Sequence, residues 1–173
     1  MKRNNFLPVT ITRQWLEEQG ACTWKVDLFE KIWPNGVVVT YEALVSAAKA
    51  GLSLSWLAER VLSRSAYSEL EVKTEVLQAE YEAKITPVFA DHEAKRDLLH
   101  TVYWTTRNSL GEDRKAECDT LEAGYESMVA TLRDEYSAAS ESIVLESIAK
   151  RDTLRATILW AAYKENIRHA PPD

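Results

Sequence analysis

From Leu77 to Lys164 the chain divides into consecutive blocks of eleven residues that share one pattern. The first slot holds Leu77, Val88, Leu99, Leu110, Leu121, Leu132, Ile143 and Leu154, all aliphatic. The fifth holds Tyr81, His92, Tyr103, Arg114, Tyr125, Tyr136, Ser147 and Ile158, and the stretch before it puts Leu70 in the same slot. Eleven residues close three turns at about 3.67 per turn, near the natural 3.6 of an α-helix. A stripe with this period therefore stays on one side of a helix with little supercoil, whereas a strand needs alternation. We expect slots one and five to form a buried seam, with partial help from slot eight (Met128, Ala139, Ala161). Slot seven is rich in alanine (Ala83, Ala94, Ala116, Ala138, Ala149), which suits close approach of another helix. Ser109, Thr120, Thr131, Ser142 and Thr153 in slot eleven read as a polar edge.

Two positions interrupt the pattern. Thr86-Pro87 reads as an N-cap with proline at the first helical position, since proline deeper in a helix costs about 3 kcal/mol. Ser109-x-x-Glu112 has the form of a capping box, with Asn108 closing the helix before it. We therefore expect helices near 67–85, 87–107 and 110–168. One unbroken helix over 66–168 would run about 155 Å and need a partner throughout, so a fold back near 108–109 is expected to pair the arms.

Residues 1–65 carry signals of shorter helices. Thr12 is placed to cap "RQWLEEQ", which stops at Gly20; the acids Glu17 and Glu18 in its last turn oppose the helix dipole and point to an exposed end. In "TWKVDLFEKIW", Trp24, Leu28 and Ile32 recur at helical spacing, with Phe29 and Trp33 beside them, before "PNG" ends the run. "VVV" at 37–39 is too short to assign as a strand. Thr40 is placed to cap "YEALVSAAKA", closed by Gly51, and Ser53 or Ser55 opens "WLAERVLSR". Four tryptophans fall here: Trp15, Trp24, Trp33 and Trp56. A small domain needs such large side chains for its core, with Trp33 and Trp56 the candidates for an exposed protein-binding patch.

Charge narrows the function classes. Residues 1–65 carry eight Lys/Arg and six Asp/Glu, while 66–168 carry thirteen and twenty, net −7. An acidic helical region repels nucleic acid, and disfavours anionic lipid even though eleven-residue amphipathic repeats can lie on membranes. The alternative nucleic-acid reading rests on segment 43–65, where Ala47-x-x-x-Gly51 resembles a helix-turn-helix corner and Arg60 and Arg64 would contact the duplex. Against it, Arg60 takes a place that such a motif keeps apolar.

Chemistry is poorly represented. "HEAKR" at 92–96 starts like a zinc motif, but Arg96 stands where the second histidine belongs, and Asp97-x-x-His100 has no second copy. No phosphate loop, dinucleotide fingerprint, nucleophile elbow or Cys-x-x-Cys occurs. Acids with helical partners, such as Glu80–Lys84 and Glu146–Lys150, read as solubilising pairs. Cys22 and Cys118 are far apart and fit reduced, partly buried thiols in a cytoplasmic protein. The start of the chain has no apolar h-region of a signal peptide and no apolar run reaches membrane length.

Trp15-Leu16, Gly20-Ala21-Cys22, Phe29…Trp33-Pro34…Gly36, Val39-Thr40 and Gly51-Leu52…Trp56-Leu57-Ala58 form a recurring pattern. It resembles the head of small uncharacterised helical proteins encoded by phages, prophages and some bacteria. Many of those continue into alanine-rich eleven-residue repeats, of which "YEAKITPVFAD" looks like a worn copy. The resemblance covers most of the chain and brings no catalytic motif with it.

The expectation is an all-α chain: a compact helical head (1–65), a hendecad arm (66–168) forming a hairpin or coiled-coil-like bundle, and a disordered tail (169–173). No catalytic, cofactor or metal site is expected. The expected function is non-enzymatic protein binding in the cytoplasm, most concretely a phage-type inhibitor of a host protein complex, such as an anti-CRISPR or anti-restriction protein. A homo-oligomer through the arm, a nucleic-acid accessory role and a structural or lipid-surface role are the alternatives.

Overall fold

The computed structural model describes residues 7–110 and 114–168; the tail expected at 169–173 and Glu112 of the expected capping box lie outside them. The chain is all-α apart from one small ladder. In order it forms β1 (Thr10–Ile11), α1 (Arg13–Glu18), α2 (Thr23–Ile32), β2 (Val37–Val38), α3 (Tyr41–Lys49), α4 (Leu54–Val61), α5 (Arg64–Leu110) and α6 (Lys115–Arg168). Two compact units result. One joins the described residues up to Leu77 with those from Ile148 onward; the other is Gln78–Ser147. No helix among the described residues is long and apolar enough to cross a membrane.

Three of the four short helices of the head begin where hydroxyl caps predict. The Thr12, Thr40 and Ser53 hydroxyls accept from the backbone N–H of Trp15, Ala43 and Trp56 at 3.1–3.2 Å. Each satisfies a donor that the first turn leaves without a partner. Ser53, not Ser55, opens α4. "VVV" supplies a two-residue strand, with Thr10 opposite Val38 and Ile11 opposite Val37. Gly36 is required there. Its φ is +79°, and a Cβ would lie 2.7 Å from the Ile11 carbonyl oxygen.

The buried face of α2 differs from the expected stripe. Val26 and Phe29 are buried, whereas Trp24 is 62% exposed and Ile32 is also exposed. The i, i+3, i+7 set of Val26, Phe29 and Trp33 is the inward face instead: Val26 and Phe29 are buried, and Phe29 and Trp33, whose ring centroids lie 5.3 Å apart, both join the head core. Trp24 is thus not a core tryptophan, and Cys22 is exposed where a partly buried thiol was expected; Cys118 is half-buried.

The core of this unit is completed from far along the chain. Leu7, Ile11, Phe29, Val39, Leu44 and the α4 residues Leu54, Leu57, Ala58 and Val61 join Leu70 of α5 and Ala156, Leu159 and Tyr163 of α6 in one cluster. Ala156 and Leu159 have no exposed surface.

In the second unit the repeat builds an antiparallel hairpin. Tyr103 stacks on Tyr125 and His92 packs against Tyr136 at a tilt, each pair with ring centroids 4.5 Å apart. Every partner is a fifth-slot residue: eleven steps down α5 are eleven steps up α6. Both pairs are centred on residue 114, itself a fifth-slot position. Lys84 reaches across to Glu146 at 2.6 Å, two positions beyond its counterpart in that register.

That register corrects the expected seam. A repeat folded about slot five exchanges slots one and nine between the helices. Slot nine, more than slot eight, therefore joins the stripe: Ile85, Cys118, Val129 and Ser140 are half-buried, although Arg96 and Arg107 of the same slot are exposed, while Met128 and Ala139 of slot eight are exposed. The geometry agrees, because at about 98° per residue slot nine lies as near the fifth slot as slot one does. Ala161, of the other unit, is likewise exposed, and so are the slot-seven alanines. These alanines lie on the face away from the seam and serve as good helix formers, not as a close-approach surface.

Two expected helix boundaries are absent. α5 runs through Pro87, so Thr86 is not an N-cap. Pro87 and Ala83 are both exposed, so the Ala83 carbonyl, which loses its usual donor, faces solvent. Half-buried Ile85 and Val88 hold the seam on either side. The other boundary, at 108–109, is displaced: Ser109 lies inside α5 and its hydroxyl donates to the Thr106 carbonyl at 2.7 Å. The helix continues to Leu110, because that first-slot residue still meets the seam.

Candidate functional site: an apolar cavity in the head

The head elements surround a cavity of about 170 Å³. Its walls come from every short element. The ladder brings Ile11, Val37 and Val39; the end of α2 brings Phe29 and Trp33; α4 and the turn before it bring Leu52, Leu54, Trp56 and Leu57. From α3 come Leu44 and two small residues one turn apart, Ala43 and Ala47. The alanines leave the space that larger side chains would fill. A void of about 150 Å³ with apolar walls stays dry and accepts a benzene-sized guest. Were this one closed and empty, it would cost the head about 4 kcal/mol at the usual penalty per unit volume.

Trp33 and Trp56, the two tryptophans singled out as candidate partner contacts, line this one cavity although 23 positions separate them. Both are half-buried. Trp15 is half-buried against the same core and is not among the lining residues.

Sequence reasoning missed Lys25, Ala43 and Ala47. Among the described residues, Lys25 is the one Lys, Arg, Asp, Glu or His side chain in the lining. Its ammonium lies 3.9 Å from the centre of the exposed Trp24 ring and donates to the Gly51 carbonyl. The acids of the same helix are directed elsewhere. Arg13 holds Asp27 at 3.5 Å and also pairs with Glu30 and Glu17. Hydrogen bonds to Glu17 and Glu30 hold the Arg13 pKa above its ordinary value. The only signal for the alanines was their i, i+4 spacing opposite aromatic segments.

Arg60 and Arg64 are placed on different helices. Arg60 is in the last turn of α4, half-buried, with its guanidinium 5.8 Å from the Trp56 ring centre. Its Nε is buried and has no hydrogen-bond partner among the described residues. Arg64 is the exposed first residue of α5. The corner between α3 and α4 turns at Gly51 with φ +81°, and α4 itself carries a single basic residue.

The histidines of the arm are engaged in structural contacts. His92 packs at a tilt against Tyr136, and His100 Nε2 accepts from the Trp104 indole at 2.7 Å. Among the described residues no three His, Cys, Asp or Glu side chains gather as a metal site. Compared with known proteins, the chain matches no family model, no curated protein and no solved structure.

Proposed function

We propose that this chain is a non-enzymatic protein-binding protein that takes one bulky apolar side chain of its partner into the head cavity. The observation that carries this reading is the joint placement of Trp33 and Trp56 on one open apolar wall. Aromatic, desolvated pockets of this kind are where a few residues supply most of an interface's binding energy. Net charge supports a protein partner over nucleic acid, with 27 acidic against 21 basic residues. The concrete form we propose is a cytoplasmic, phage-type inhibitor of a host protein complex, supported by the head pattern's resemblance to phage-encoded proteins.

The test is quantitative capture of bacterial lysate proteins, with and without phage infection, on the immobilised full chain and its variants. Trp33→Ala and Trp56→Ala should each weaken a true partner by about 2 kcal/mol or more. Arg60→Ala with Arg64→Ala should leave it bound, and no duplex DNA should shift at micromolar protein and physiological salt. A partner indifferent to both tryptophans would overturn the reading, as would a salt-sensitive duplex complex abolished by the two arginine changes.

A further inference from the structure

We propose that the head cavity selects an acidic apolar anchor: a single bulky apolar side chain of a partner protein with a carboxylate beside it. The side chain fills the cavity and the carboxylate meets Lys25. The inference rests on the protein-docking reading above and names the chemistry of that partner.

The cavity accepts about one ring or branched side chain, and its lining carries no acid among the described residues. Its single cation among the described residues, Lys25, is at least partly solvent-accessible. An ammonium has three donors; the Gly51 carbonyl takes one and leaves two for an incoming carboxylate. The neighbouring acids Asp27 and Glu30, which would otherwise cancel this charge, are turned to Arg13. Lys25 also stands in the first turn of α2, where the helix dipole has the same positive sign, and the N-cap Cys22 makes no side-chain capping bond there. An aliphatic or aromatic anchor followed by a basic residue would place two cations together at this rim.

The test uses the full chain and two acetylated tripeptide amides, Gly-Phe-Asp and Gly-Phe-Lys, with toluene and 3-phenylpropionate as small probes. Binding is read from the indole N–H signals of Trp33 and Trp56. Gly-Phe-Asp should bind at least about fivefold tighter than Gly-Phe-Lys, since one close, solvated attraction is worth about that much and the lysine adds a repulsion. Lys25→Met, which keeps the stem, should erase that ratio and leave toluene binding unchanged. Ala47→Leu, which fills the cavity without truncating a core residue, should abolish all probe binding. A ratio near one, or one that survives Lys25→Met, overturns this inference while toluene binding leaves the docking reading standing. Failure of every probe to move the indole signals overturns both. Binding of 3-phenylpropionate with neither peptide bound would make this a small-molecule site and also overturn both.

Discussion

The hairpin and the head bury side chains by opposite means. In residues 78–147 one rule repeats. A first-slot aliphatic returns every eleven residues, a fifth-slot ring in all but Arg114 and Ser147, and a half-buried ninth-slot side chain in all but Arg96 and Arg107; the fold back about residue 114 sets fifth slot against fifth slot. Contacts there follow from a period and one turn. In the head no element resembles the next, and five short helices and strands with separate caps precede α4. Its core closes only when Ala156, Leu159 and Tyr163 arrive from the far end of α6. Periodicity thus specifies a seam that tolerates single departures, such as Ser147 in a buried slot. The head depends on particular side chains, and that individuality is what leaves a shaped cavity.

The sharpest way to break this comparison is to remove the distant segment. A chain ending at Ser147 lacks Ala156, Leu159 and Tyr163, and truncating one buried leucine alone costs about 2–5 kcal/mol. The head should then lose its cooperative thermal transition, read by tryptophan fluorescence. A head that still melts cooperatively would show that it folds without α6. Next in size, Leu132→Asp puts a charge where the side chain is 8% exposed and should cost a few kcal/mol in urea melts. Leu121→Asp, at a half-buried site, should cost less.

A smaller effect separates two adjacent residues. Val129 is half-buried and Met128 exposed, so Val129→Asp should destabilise by about 2 kcal/mol and Met128→Asp by under about 0.5 kcal/mol. Equal effects would return slot eight to the seam and refute the exchange of slots one and nine. Smallest of all, Glu122→Ala removes an exposed partner 3.9 Å from Arg107 and should change stability by less than about 0.5 kcal/mol.

Much of this architecture was legible in the sequence. Thr12, Thr40 and Ser53 marked helix starts because capping is a local event, decided within four residues. The slot-one and slot-five stripe was legible for the same reason. What escaped was set by tertiary contacts. Pro87 carries a strong local signal for a helix start, yet the seam on both sides keeps α5 whole. The ninth slot could not be ranked above the eighth until the turn position was known. On α2 the pattern offered Trp24, whereas contacts with the rest of the head core bury the face of Phe29 and Trp33. Trp33 and Trp56 were legible as candidate contacts from residue type, but their meeting in one cavity depended on the Gly36 and Gly51 turns.

One fold back seals the hairpin of residues 78–147 in a single register. Paired cysteines in a Cys22→Ser, Cys118→Ser background test it most directly. With a short thiol crosslinker, His92→Cys combined with Tyr136→Cys should join efficiently within one chain. His92→Cys combined with Tyr125→Cys, one repeat or about 16 Å out of register, should not. Efficient joining of the second pair and none of the first would contradict the register, and with it the account of which slots are buried.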